Sequence, residues 1–185
     1  MNPIFYIDFY KAGHINQYHN DVTQVFSNWT PRFSRVPDVD HVIPFGLTYF
    51  LKKYLIDEFE QHFFSRPLHA VLDEYRELIK ATLFIDSLRT DHIEALHRKG
   101  HIPLTFYALP EGAPVPINVP PIIVKNTEPG EFFWLPNYFE TLMSNILNLM
   151  PGSHKVQLYS AFAALTDPAN PPKSRMQSVI DRHAV

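Results

Sequence analysis

The sequence predicts an α+β fold, a small mixed or antiparallel sheet with flanking helices, on three observations. Apolar residues recur at helical spacing through the middle third of the chain and again near residue 140. Stretches rich in β-branched and aromatic residues lie before and between these helical segments. Hydrophobic residues make up 45% of the chain and aromatic residues 14%, enough apolar surface to offset the entropy of ordering it. At 185 residues the length suits one sizeable core, since about 100–200 residues per domain is usual.

Taken in order, "TQVFSNWT" reads as a strand that stops at Pro31, which cannot donate to a ladder. In "FGLTYFLKKYLIDEFEQHF", Leu47, Phe50, Leu51, Tyr54 and Leu55 share one helical face while Lys52, Lys53, Asp57 and Glu58 face away. "LHAVLDEYRELIKATLF" places Leu72, Tyr75, Leu78 and Ile79 on one face of a second helix. Asp91 and Glu94 have capping-box spacing at the start of "DHIEALHRKG", and Gly100 supplies a C-terminal stop. From His101 the period changes to two: Leu104, Phe106 and Ala108 alternate with Thr105, Tyr107 and Leu109, and "PEGAPVP" turns the chain into "INVPPIIVKNTEPGE". The prolines of this β-unit favour edge strands and turns. "FFWLPNYFETLMSNIL" returns to helix through Phe139, Leu142, Met143 and Ile146, with Pro136 in the first turn, where its missing N–H costs least.

Composition excludes several classes of partner. A formal charge of -3 with scattered Lys and Arg leaves no basic stripe for a phosphate backbone, so no nucleic acid is expected. No uncharged apolar run reaches the roughly 20 residues that cross a bilayer, so no membrane is expected either. Without cysteine there are no disulfides, and "MNPIFYIDFYKAG" has no signal-peptide pattern, so the expected location is cytoplasmic. Asn28-Trp29-Thr30 fits the glycosylation pattern but reads as strand.

Familiar chemical signatures are also missing. Six dispersed glycines assemble no phosphate loop, and no Ser sits in a nucleophile elbow. His14 and His19, like His92 and His97, are five apart, off the spacing that stacks metal ligands on one helical face. The stretch "DFYKAGHINQY", Asp8 to Tyr18, nevertheless gathers an acid, aromatics, a lysine and a histidine. Taken alone it reads equally as a decorated surface helix or as part of a site.

Five pieces, taken together, resemble the N-terminal portion of the nicotinamide phosphoribosyltransferase family: "DFYKAGHINQYHND", "VTQVFSNWTPR", "PFGLTYFLKKYL", "HIPLTFYALPEGAPVPINVPPIIVKNTEP" and "FWLPNYFETLMSNIL". They occur in the family's order from Met1 to about Leu147. The resemblance implies residues 1–147 as a domain of α+β type whose sheet packs beside a phosphate-binding α/β barrel, with residues 148–185 a divergent, proline-containing tail. It implies a pentosyltransferase of NAD salvage that joins nicotinamide to phosphoribosyl pyrophosphate, giving nicotinamide mononucleotide and pyrophosphate.

Carried over by residue, Tyr10 matches a tyrosine that stacks on the nicotinamide ring, and Asp8 the acid beside it; an aromatic face suits a flat heteroaromatic. In the family these groups reach across a dimer interface into the partner's pocket. Arg32 matches a basic residue on the donor's phosphates, a role that suits a guanidinium fork, whereas apart from the resemblance it reads as a solvated arginine. Lys11 and His14 lie in the same matched motif with no role assigned. No catalytic residue and no metal ligand is assigned, and Mg2+ is expected only in the complete family enzyme.

After "NIL" the family continues into the barrel, which carries an Asp-Phe-Gly segment, a histidine that becomes phosphorylated and the groups that hold ribose, phosphate and magnesium. Here the chain runs to Val185 through Pro151, Pro168, Pro171 and Pro172, which break any long helix. A frameshift or early stop would give such a junction, and so would a divergent C-terminus. The leading expectation is a truncated family member, inactive alone. The alternatives are one subunit of a split enzyme and a non-catalytic module pairing with a full-length homologue. Nicotinamide and phosphoribosyl pyrophosphate are expected only in a completed site, in a homo-oligomer or with a barrel-bearing partner chain.

Overall fold

Alternation along the strands decides how the sheet is placed. The computed structural model describes residues 1–34, 37–84 and 88–149. It contains the strands β1 (Phe26–Trp29), β2 (His41–Val42), β3 (Leu104–Ala108), β4 (Val115–Pro116) and β5 (Ile122–Asn126). Ile122, Val124 and Asn126 are buried while Ile123 and Lys125 are only partly covered, so β5 has one face inward. It lies between β1 and β3 and is antiparallel to both, while β2 and β4 form a separate antiparallel pair. The fold is therefore the expected small α+β arrangement, and its described strands form no closed barrel. Proline excludes itself from the centre: Pro120 and Pro121 precede the central strand, and the run Ile122–Asn126 has none.

The helices are α1 (Leu47–Phe50), α2 (Leu68–Leu83), α3 (Asp91–Lys99), α4 (Leu135–Tyr138) and α5 (Glu140–Leu149). Beyond α1 the helix continues through wider, π-type turns at Leu51–Asp57 and Glu60–Phe64. Its widened bonds run from the Glu58 N–H to the Lys53 carbonyl and from the Ser65 N–H to the Glu60 carbonyl. The widening re-aims the stripe. Of the expected inward residues, Leu47, Phe50 and Leu55 are buried but Leu51 and Tyr54 only partly, and the face continues through Phe59 and Phe63. Those rings meet edge to face at 5.5 Å, and Phe59 meets Phe139 at 5.3 Å. Each such burial is worth about 1.5–3 kcal/mol.

The other helices keep most of their expected faces. In α2, Val71, Leu72, Tyr75 and Ile79 are buried, but Leu78 lies on the flank of that stripe and is 37% exposed. The expected capping box is not formed. Thr90 occupies the N-cap of α3, and the Asp91 carboxylate turns to Arg89, with contacts of 2.6 and 2.8 Å to Nε and Nη2. A bidentate guanidinium outcompetes a helix N–H for that carboxylate. Gly100 does end α3, with φ of 75° in the left-handed region. Pro136 sits in the first turn of α4, as expected. The expected boundary at 147/148 falls within α5, and the tail from residue 150 onward lies outside the described residues. No described helix is long and apolar enough to cross a membrane.

Two buried polar residues contrast. Asn126 is fully buried and satisfied: its Oδ1 accepts from the Val25 N–H at 3.0 Å, and its Nδ2 donates to the Phe132 carbonyl. His92, 5% exposed, finds no hydrogen-bond partner for either ring nitrogen among the described residues; Trp134 stands edge-on at 4.8 Å, and Asp91 Oδ1 is 3.9 Å away. Burial pushes the His92 imidazole down to about 4, with Arg89 acting in the same direction and Asp91 against it. Between pH 6.5 and 4 the unfolded chain therefore holds a proton that the folded chain does not, so stability falls as pH drops through this window. The loss should approach about 3 kcal/mol by pH 4. Urea unfolding followed by Trp fluorescence should show it, and His92→Leu should flatten this part of the pH profile.

Candidate functional site

The stretch from Asp8 to Tyr18 forms a 3-10 helix over Phe9–Gln17, with Asp8 at its N-cap. Such helices rarely run beyond three or four residues, because their hydrogen bonds are poorly aligned. This one is nine residues long and is held from outside. Lys11 is 6% exposed, and its Nζ lies 2.8 Å from Glu140 Oε2 at the start of α5. The next residue, Thr141, donates its hydroxyl to Asp8 Oδ2 at 2.8 Å. One turn earlier, Asn137 Nδ2 donates to the Tyr18 hydroxyl and its Oδ1 accepts from Ser27 Oγ at 3.1 Å, tying the helix to β1. Tyr138 donates to the Ile4 carbonyl at 3.1 Å.

Tyr10, beside the Lys11 anchor, is 57% exposed. The His14 ring approaches it at 5.1 Å with planes inclined 59°, and the Lys11 ammonium stands 5.5 Å from the phenol centroid. Partial burial, and then the Lys11 charge, lower the His14 pKa, while Glu140 opposes them. His14 is thus biased toward its neutral form beside the ring. The result is an aromatic face bordered by one fixed cation and one neutral heterocycle, a surface on which a planar ligand can stack.

Asp8 and Tyr10 therefore lie together on one element. Arg32 lies elsewhere, exposed just past β1, where the Pro31 carbonyl accepts from the Asn118 N–H at 2.7 Å. Among the described residues no hydrogen bond, ion pair or ring contact joins Arg32 to Asp8 or Tyr10. A cleft of about 430 Å³ between the π-type turns and β3 includes none of the three. Among the described residues no group of three or more His, Asp or Glu side chains is placed to hold a metal ion. Glu140 and Thr141 received no role from sequence, although they stand in the matched stretch "FWLPNYFETLMSNIL". An acid in the first turn of a helix is accounted for by the helix dipole, which conceals a specific partner.

Over 149 residues, 78% of its length, this chain is 40% identical to the nicotinamide phosphoribosyltransferase of Acinetobacter baylyi, of which it spans 29%. Over 148 residues it is 29% identical to the nicotinamide phosphoribosyltransferase of Xanthomonas campestris, spanning 28% of that protein. No family model matches. The chain is thus a partial nicotinamide phosphoribosyltransferase-like protein, similar over most of its own length and spanning less than a third of these curated relatives.

Because Lys11 is buried and Glu140 is half exposed, removing either partner should have unequal effects. Glu140→Ala leaves a buried ammonium unpaired and should cost about 1–3 kcal/mol in urea unfolding, the exposed carboxylate keeping the value low. Lys11→Met removes the charge with little change in volume and should cost less than about 1.5 kcal/mol.

Proposed function

We propose that this chain acts as a truncated nicotinamide phosphoribosyltransferase of NAD salvage, cytoplasmic, carrying part of the substrate site and inactive by itself. The observation that carries the reading is the 40% identity, over 78% of this chain, to a nicotinamide phosphoribosyltransferase. The site residues support it. Tyr10 offers its face to a flat heteroaromatic, with Asp8 fixed beside it by Thr141. Arg32 offers an exposed guanidinium to the phosphates of phosphoribosyl pyrophosphate.

Transfer of a phosphoribosyl group needs several preorganised polar groups around the pyrophosphate, and positioning and charge stabilisation supply most of the acceleration. One tyrosine, one aspartate and one arginine are too few. In this reading the remaining groups come from elsewhere, from a longer relative that pairs with this chain or from a barrel-bearing partner chain. A split enzyme is the second reading. It is favoured by the 57% exposure of Tyr10 on a helix that is otherwise pinned in place.

Purified chain supplied with nicotinamide and phosphoribosyl pyrophosphate should yield no nicotinamide mononucleotide, and turnover that survives removal of host enzyme would sink the proposal. Mixed with the barrel-bearing portion of a relative, the parent should regain activity. There Tyr10→Ala should raise the nicotinamide KM about two- to tenfold with little change for the donor. Arg32→Ala should raise the donor KM about ten- to a hundredfold. Equal effects on both substrates would defeat the residue roles.

A further inference from the structure

Two N-caps of this chain share a backbone conformation and differ in what their side chains do. Asn2, which opens the short 3-10 helix Pro3–Phe5, has φ of -67° and ψ of 119°, and its Oδ1 accepts from the Ile4 N–H at 3.2 Å. Asp8, which opens Phe9–Gln17, has φ of -70° and ψ of 126°. Asn and Asp are equally good caps, and the positive end of a helix favours a carboxylate further. The Asp8 side chain nevertheless makes no cap bond. The donor equivalent to the Ile4 N–H is the Tyr10 N–H, on the residue whose ring offers the stacking face.

The Asp8 carboxylate goes to Thr141 instead. The Thr141 hydroxyl donates to Asp8 Oδ2 at 2.8 Å, and among the described residues no other side chain bonds that carboxylate. Thr141 follows Glu140 at the start of α5, and Glu140 Oε2 lies 2.8 Å from the Lys11 ammonium. Neighbouring residues of α5 thus hold the 3-10 helix at its N-cap and again at Lys11. Asp8 is exposed, so its Oδ1 stays open to a donor on a ligand. Trading a cap bond for a hydroxyl bond of similar strength gains the fold little.

We propose that Thr141 is a positioning residue of the substrate site, drawing the Asp8 carboxylate out of the N-cap and holding it available to a ligand stacked on Tyr10. The role rests on the proposed function, in which Asp8 serves that ligand. Without the hydroxyl the carboxylate falls back on the Tyr10 N–H, as Asn2 does on that of Ile4, because the backbone there already has the capping conformation. The helix then keeps its stability and the site loses its acid.

Thr141→Val, close to isosteric, and Thr141→Ser, which restores the hydroxyl, test this in the full chain. By NMR the Tyr10 amide proton should move downfield in Thr141→Val and exchange with solvent about two- to tenfold more slowly, with a urea midpoint near the parent's. Thr141→Ser should keep the parent's amide signal. An anchor that serves the fold alone predicts a lower midpoint and an unmoved Tyr10 amide, and that result would overturn the proposal. So would a Thr141→Ser variant that behaves as Thr141→Val does. Mixed with the barrel-bearing portion of a relative, Thr141→Val should raise the nicotinamide KM about two- to tenfold and leave the donor KM unchanged, and Thr141→Ser should restore the parent's value. A moved amide with an unchanged nicotinamide KM would remove the positioning role. If the parent mixture makes no nicotinamide mononucleotide, the proposed function fails by itself, and the Tyr10 amide still decides whether Thr141 keeps the carboxylate from the cap.

Discussion

Five consecutive residues, Asn137 to Thr141, hold the first eighteen residues of the chain in place. Asn137 engages Tyr18 and Ser27, Tyr138 the Ile4 carbonyl, Glu140 the Lys11 ammonium and Thr141 the Asp8 carboxylate. Between them Phe139 is fully buried against Phe59 and Tyr138. The N-terminal segment needs this anchorage, because both of its helices, Pro3–Phe5 and Phe9–Gln17, are 3-10 and store little stability of their own. The same contacts dictate which side chains remain outside: with Lys11, Ala12 and Ile15 committed inward, Tyr10 must face solvent.

The sheet obeys a similar division. Its inner face, through Val124, Ile122 and Phe106, closes on the helices, and its outer face shows Phe26, at 61% exposure, and Tyr107, over which Lys125 Nζ stands at 5.2 Å. The lysine stem shields part of that apolar surface while its charge stays wet. The α1 entrance is handled by a remote acid: Glu111 accepts from the N–H groups of Gly46 and Thr48, each at 2.9 Å, and those bonds hold its carboxyl below the usual range. A turn residue between β3 and β4 thereby fixes where the long aromatic helix begins.

Much of this was legible in the sequence wherever a residue's own chemistry decides its conformation. Pro31 ends β1, Gly100 ends α3 and Pro136 opens α4, because ring closure and the absence of a Cβ act locally. The matched motifs pointed to Asp8 and Tyr10 together, and they do share one element. Hidden were features set by partners distant in sequence. An ideal helical period could not foresee the wider turns that bring Phe59 and Phe63 inward. A capping pattern at Asp91 could not show that Arg89 would claim the carboxylate. The Lys11 and Glu140 pair, 129 residues apart, has no local signature at all.

That separation bears on how the chain is made. A ribosome delivers Asp8 and Lys11 long before Glu140 and Thr141, so the 3-10 helix emerges with none of these anchors and cannot close until residue 141 is outside the exit tunnel. Contacts of such long sequence span are also the ones that form slowly in refolding. The aromatic helix pair from Leu47 to Leu83 can consolidate first, and the N-terminal arm docks only after Glu140 and Thr141 have followed.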